Sequence, residues 1–246
     1  MTVYNEAKFV EYAIRACLPY VDDLVIVEGA YVETVKLGAS PRSTDGTLNV
    51  IHSFVGDPKV RIIEANELSD KDQRNRGLEI IKQINPDGWV LIVDGDEIYD
   101  PNTINMIKMT ANNLEKQGRL AAYFKSLTFV NDFSHYTEQT FPRLFRITPE
   151  CKFVNDNFME WPDKGANWFG PFIVRLPYIK YFHYAFCKGD RFELKKKWWE
   201  TRFNKPFDYG WHRDESGKIV DSSHEVYEFS GKHPDIMKAH PMYGGK

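Results

Sequence analysis

Cysteine is scarce: Cys17, Cys151 and Cys187 are odd in number and widely spaced. They cannot form a full disulfide framework and lack zinc-ligand spacing, so they read as buried free thiols. A basic excess is missing too. The 32 Lys and Arg stand against 35 Asp and Glu, a net charge of −3, which argues against a nucleic-acid partner. The longest apolar runs, Leu24–Val27 and Trp89–Val93, are far too short for a transmembrane segment. No basic stretch followed by an apolar one opens the chain, so no signal peptide is expected, and the default is a soluble cytoplasmic protein. Aromatic residues are rare in the first half only. Of 36 Phe, Trp and Tyr in the 246 residues, 8 fall before residue 121. The two halves are built differently.

What is present in the first half is an alternation of strand and helix patterns. Met1–Tyr4 is a short strand, and Asn5 stands where an N-cap belongs, ahead of a helical stripe of Phe9, Val10, Ala13, Ile14, Cys17 and Leu18. Leu24–Val27 is a continuous apolar run of strand length, as in a parallel sheet covered on both faces. Ser43-Thr44-Asp45-Gly46-Thr47 caps a helix through Leu48, Val50, Ile51 and Phe54. Val60–Ile63 is a strand, residues 72–84 a helix, Trp89–Val93 a strand, and Pro101 opens another helix. This succession predicts an α/β, doubly wound, mostly parallel sheet, Rossmann-like in its winding. Ligands of such sheets bind beyond the carboxyl ends of the strands.

The fourth strand runs straight into Asp94-Gly95-Asp96-Glu97. Residues i and i+2 of an extended chain point the same way, so the Asp94 and Asp96 carboxylates project together, while Gly95 leaves the backbone open. Hard oxygen donors without neighbouring Cys suit Mg²⁺ or Mn²⁺ rather than zinc. A solvated Asp-Gly turn would explain the same residues without a metal. The second strand ends at Glu28, and the first in Thr2-Val3-Tyr4-Asn5-Glu6, with Thr2, Tyr4 and Glu6 alternating to one side. The helix before the fourth strand carries Arg74-Asn75-Arg76-Gly77. Its glycine predicts close packing, and one of its arginines is expected to reach the same cleft.

Tyr4-Asn5-Glu6, Glu28, S-T-D-G-T, R-N-x-G and D-G-D-E, in this order over residues 2–104, resemble the family 2 glycosyltransferases of the GT-A fold. The resemblance implies a nucleotide-sugar donor, with UDP as the expected nucleotide. It sets Thr2, Tyr4, Glu6, Glu28 and Arg74 around base and ribose, and Asp94, Gly95 and Asp96 at the diphosphate through a metal. The chain departs from the family in three respects. Its first strand is short, as if truncated; Glu28 stands in place of Asp; and a twelve-residue insert, Tyr31–Arg42, is expected to form a loop or flap at the donor end.

Residues 1–120 are then the nucleotide-sugar half. Residues 121–246 are the aromatic-rich acceptor side with a C-terminal helix and tail, within one continuous globular domain. Ala121–Val130, Pro142–Ile147, Phe153-Val154, Phe158–Trp161 and Tyr178–Phe186 read as strands. In the resembling enzymes an R-L-F-R strand precedes an acidic residue facing the acceptor; Glu160 matches it, and Glu97 is the second candidate for the base of an inverting transfer. His183, inside an aromatic strand, is either a core residue or, by the resemblance, a third metal ligand with Asp94 and Asp96. The helix Asp190–Phe203 sets Phe192, Trp199 and Phe203 on one side, and a lysine of 195–197 or Arg191 could neutralise a departing diphosphate. The tail beyond residue 210, with four histidines, reads as a surface tail. The acceptor stays open among a glycan, a lipid-linked sugar, a protein or a small molecule. Two competing readings are a sugar nucleotidyltransferase, which would need a Gly-rich basic loop where Asn5–Lys8 stands, and a degenerate carbohydrate-binding protein.

Overall fold

Strands that must be covered on both faces need helices above and below, and β2 shows how the chain meets that demand. The computed structural model describes residues 1–65, 68–167, 170–187, 191–207 and 210–243. In it β1 (Thr2–Val3), β2 (Leu24–Glu28) and β3 (Val60–Glu64) form a parallel sheet in that order. Leu24 and Ile26 of β2 pack with α1 (Val10–Cys17) and with Ile51 of α3 (Thr47–His52). Val25 and Val27 face Ile80, Ile81 and Ile84 of α4 (Asp70–Ile84) on the other side. Gly77 of α4 is what lets the helix come down, since a Cβ there would stand 3.0 Å from the Val27 side chain. Between β2 and α3 the insert folds its own short helix, α2 (Val32–Lys36).

The second sheet differs. It carries β4 (Trp89–Leu91), β5 (Glu97–Ile98), β6 (Ala121–Val130), β7 (His135–Arg146), β10 (Ile173–Phe186) and β13 (Tyr227–Glu228), ordered β13-β7-β6-β10-β5 with β4 on β7. Four of these five pairings are antiparallel and β6–β10 is parallel. The mostly parallel sheet expected from sequence therefore holds for β1–β3 but not here. The four residues between β6 and β7, turned at Asn131 (φ 64°), are a hairpin connection, and hairpins impose antiparallel pairing. A parallel bridge between Thr2 and Asp94 joins the two sheets. Pro101 and the Asp100 cap open α5 (Pro101–Lys116), as expected. β8 (Lys152–Phe153) pairs with β9 (Met159–Glu160), and β11 (Trp211–Arg213) with β12 (Ile219–Asp221); α6 (Arg191–Phe203) lies between β10 and β11.

Two local expectations are corrected. Asn5 is not a helix cap: it sits at φ 52°, donates its N–H to Ser43 Oγ and accepts from the Thr44 N–H, so it staples the first loop to the S-T-D-G-T loop. The final stretch is not a surface tail either. Met237, His233 and His240 are buried, with His233 between the Tyr184 hydroxyl (2.8 Å) and the Phe133 carbonyl (2.9 Å). His240 stacks on Phe9 at 4.5 Å and reaches the Lys8 carbonyl at 2.9 Å. The aromatic residues of the second half are chiefly core: Phe129, Tyr184, Phe133 and Phe9 form one cluster, and Trp161 is fully buried in another. Phe203 is exposed, unlike Phe192 and Trp199. Trp168, Asp190 and the side chain of Arg191 lie outside the described residues. Among those residues no helix is long and apolar enough to cross a membrane.

Candidate functional site

The ends of β1, β2 and β4 open on one cleft of about 260 Å³, as expected for ligands of a parallel sheet. β1 supplies Thr2, with Tyr4 and Glu6 just beyond it. The loop after β2 supplies Tyr31, α4 supplies Asp70, Gln73 and Arg74, and the loop after β4 supplies Asp94, Gly95 and Asp96. The far wall comes from the second sheet and its loops: Phe141 and Arg143 of β7, Asp156 and Asn157, and His183 and Ala185 of β10. Leu194, Lys195 and Trp198 of α6 close over it.

The floor is a network of buried charge. Asp94 accepts from Thr2 Oγ1 at 3.0 Å and from Arg74 Nη2 at 2.5 Å, with Arg143 Nη2 3.6 Å from its other oxygen. Burial works against the Asp94 charge, but the two guanidinium groups outweigh it and take its pKa down to about 2. Glu97, 0 % exposed, accepts from Arg143 Nε and Nη2 at 3.2 and 2.7 Å and holds the Asp94 N–H at 3.2 Å. Burial pushes the Glu97 carboxyl up, and Arg143 opposes it. Arg143 also donates to Asn157 Oδ1 at 2.8 Å, so one side chain ties the β4 loop, β7 and the loop after β8 together. Gly95 is needed for the approach of the loop to β1: a Cβ there would stand 2.8 Å from Glu6 Cγ.

Asp96 turns the other way. The pairing of β5 with β10 sets His183 opposite Glu97, and His183 Nε2 lies 3.5 Å from Asp96 Oδ1. The other ring nitrogen, Nδ1, sits 3.4 Å from Thr128 Oγ1, so Nε2 faces the cleft. A carboxylate oxygen and an imidazole nitrogen this close could supply two of the six ligands that Mg²⁺ or Mn²⁺ take. Asp94 does not complete it, because its oxygens are committed to Thr2, Arg74 and Arg143. No cluster of three or more His, Cys, Asp or Glu with metal-holding geometry occurs among the described residues. Of the three expected metal ligands, the geometry brings two together.

The cleft also holds polar atoms with no hydrogen-bond partner. Gln73, 1 % exposed, donates through Nε2 to the carbonyls of Gly29, Ala30 and Ala65, which leaves its Oε1 unpaired. Arg74 Nε and Trp198 Nε1 are likewise unpaired. Buried polar atoms of this kind carry a cost unless a ligand or water meets them.

The roof is made by the insert and the C-terminal helix. Tyr31, at the start of α2, packs on Trp198 of α6 with ring centres 5.6 Å apart. Arg202 of α6 forms an ion pair with Asp70 at the first turn of α4. Lys195, itself exposed, lines the cleft with its ammonium 5.1 Å above the Phe186 ring, whereas the exposed Lys197 does not line it.

Not every expected residue reaches the cleft. Thr2, Tyr4, Glu6, Arg74, Asp94, Gly95, Asp96 and His183 line it. Glu28 does not: it is fully buried, accepts from the Ser43 N–H at 2.8 Å and faces Arg42 at 3.5 Å, which secures the end of the insert. Glu160 sits on β9, half-buried and paired with Lys152, away from the cleft lining. Glu97 lies beneath the floor, locked to Arg143, and does not line the cleft. Arg76 pairs with Glu79 on the surface, so Arg74 is the arginine that enters. Sequence reasoning missed Arg143, although it stands in the alternating R-L-F-R strand, and missed Asp156 and Asn157, which lie in an irregular stretch with no period to reveal them.

No family model matches the sequence, and no curated protein matches it. Among solved structures the chain is similar to TarS of S. aureus, at 16% identity over 52% of this chain with a TM-score of 0.35. A 1–349 form of TarS in complex with UDP gives 19% over 52% and 0.38, and the 1–349 form alone gives 15% over 84% and 0.43. The aligned part spans 20%, 34% and 65% of those three chains, so this protein covers less than two thirds of each.

Proposed function

We propose that the protein is a glycosyltransferase that binds a nucleotide-diphosphate sugar, with UDP as the nucleotide, in this cleft. One observation carries the reading. Asp96 and His183 stand beside a floor held by Arg74 and Arg143, at the carboxyl ends of parallel strands, with Lys195 overhead. A diphosphate is the ligand that such a mixture suits, since it needs both cationic donors and carboxylates that accept a divalent ion.

In this reading Asp96 and His183 would hold Mn²⁺ or Mg²⁺, which when bound offsets the negative charge of the diphosphate. Lys195 supports the departing phosphate from the roof side. Asp94 positions Arg74 and orients Thr2. The unpaired Gln73 Oε1 and Arg74 Nε provide an acceptor and a donor for the nucleoside. The base that takes the proton of the acceptor hydroxyl is Asp156, whose carboxylate lines the cleft and is braced by Asn157 Nδ2 at 2.7 Å. This assignment replaces Glu160 and Glu97, neither of which lines the cleft. Inversion at the sugar follows if Asp156 acts on the face opposite the diphosphate.

Calorimetric titration with UDP, with and without Mn²⁺, tests the reading on the wild type and on Asp96→Asn. Metal-enhanced binding by the wild type and its loss in Asp96→Asn are expected. Absence of UDP binding under both conditions would remove the proposal.

A further inference from the structure

Behind the cleft the second sheet carries a buried polar row of which the proposed reaction uses only the end, His183. β6 is paired on both sides, and residues directly opposite one another in a sheet share a face. Thr128 stands opposite Thr137 of β7 and His183 of β10, and Ser126 stands opposite Gln139 of β7. Ser126, Thr128 and Thr137 are each 0 % exposed, and none of them lines the cleft. A hydroxyl placed in a core strand is costly unless it is hydrogen-bonded, so its bonds say what it is for.

Thr128 Oγ1 is met from three sides. It donates its single proton to Gln139 Oε1 at 3.1 Å, and Ser126 Oγ lies 2.9 Å away. With that proton committed to Gln139, Oγ1 can only accept from its other partners. Ser126 therefore donates to it, and so does His183 Nδ1 at 3.4 Å. A neutral imidazole has one proton, so placing it on Nδ1 leaves Nε2 as a bare lone pair. Nε2 is the atom that faces Asp96 Oδ1 at 3.5 Å. Two acceptors set face to face with no proton between them suit a cation. A hydroxyl also holds the ring without adding another negative charge beside Asp94, Asp96 and Glu97.

We propose that Thr128 is a positioning residue: it accepts the Nδ1 proton of His183 and thereby presents Nε2 to the cleft as an unprotonated ligand for the divalent ion. Gln139 and Ser126 fix the direction of the Thr128 hydroxyl, and Thr128 fixes which ring nitrogen carries the proton. The inference rests on the metal-dependent reading above and adds to it a residue that touches neither metal nor substrate. Outer partners of this kind typically account for about 10–100-fold in metal affinity.

The test compares the wild type with three variants. Thr128→Val removes the hydroxyl, Thr128→Ser keeps it, and Thr137→Val removes the neighbouring buried hydroxyl, which has no hydrogen-bond partner among the described residues. The ¹⁵N shifts of the His183 ring, assigned by their loss in His183→Gln, are read in the metal-free protein at a pH above the ordinary histidine range. A pyrrole-type Nδ1 and a pyridine-type Nε2 are expected in the wild type, Thr128→Ser and Thr137→Val, and this pattern should be lost in Thr128→Val. Mn²⁺ binding, measured by calorimetry with UDP saturating, should weaken about tenfold or more in Thr128→Val alone. A proton on Nε2 in the wild type would overturn the proposal, as would wild-type Mn²⁺ affinity in Thr128→Val or an equal loss in Thr137→Val. The ¹⁵N pattern needs neither metal nor nucleotide, so it decides the role of Thr128 even if the wild type binds no Mn²⁺, a result that would count against the metal reading alone.

Discussion

The floor and the roof of the cleft are held in different ways. On the floor, Arg143, Glu97, Arg74 and Asp94 form one chain of charge-assisted bonds, and each of its members is buried or half-buried. The roof is held by side-chain contacts between helices: Tyr31 on Trp198, and Arg202 on Asp70. A buried ionic network resists piecemeal change, because losing one member strands the others in low dielectric. The Tyr31–Trp198 ring contact can be exchanged for contacts with a ligand at small cost. Under the proposed function, a fixed floor would set the geometry of the diphosphate beneath a roof that adapts to what enters.

The largest effect should come from Arg143→Met. It leaves Glu97 and part of Asp94 without a countercharge, and the expected loss is about 3–5 kcal/mol of unfolding free energy in urea. A loss below about 1 kcal/mol would place the rigidity elsewhere. Gly95→Ala should follow at about 1–3 kcal/mol, since the new methyl meets Glu6 and the β4 loop must lift from β1. The Asp94 carboxyl gives the acid limb. Its folded value, about 2, lies below its ordinary 3.8, so the stability it confers is complete above about pH 4 and drains away as pH falls toward 2. Asp94→Asn should flatten the unfolding profile in that window, and an unchanged profile would deny the charge network its role. Smallest for folding is Trp198→Ala, expected within about 1 kcal/mol of wild type. If the roof adapts to ligand, the same substitution speeds UDP release while leaving the metal requirement intact. An effect on stability as large as that of Arg143→Met would erase the contrast.

Much of the floor was legible in the sequence because regular elements carry it. A four-residue apolar run announces β2, and a second one ending in Asp94-Gly95-Asp96 announces β4, so the site follows from the rule that such strands present their carboxyl ends to ligands. From helical period alone Arg74 was one of two candidates, since the period does not say which arginine turns inward; the family resemblance singled it out. The second sheet was harder. Individual strands such as Ala121–Val130 show their composition, but the order β13-β7-β6-β10-β5 depends on pairings between residues far apart in the chain. Glu160 illustrates the cost. A motif match selected it, but the β8–β9 hairpin carries it away from the cleft, while Asp156 in the intervening loop arrives there. The buried tail was missed for a related reason: His233 and His240 look polar in sequence, and only their partners on Phe133 and Lys8 explain their burial.

That tail has a bearing on how the protein is made. Phe9, in the turn that leads into α1, is wholly enclosed, and part of its enclosure is the ring of His240, which also bonds to Lys8. The partners are 232 residues apart. A chain emerging from the ribosome therefore presents its first helix with an open aromatic seat until the segment around His240, 232 residues beyond Lys8, has been made. Folding of the amino-terminal half can begin early, but its packing is finished only once His240 is available to dock on Phe9.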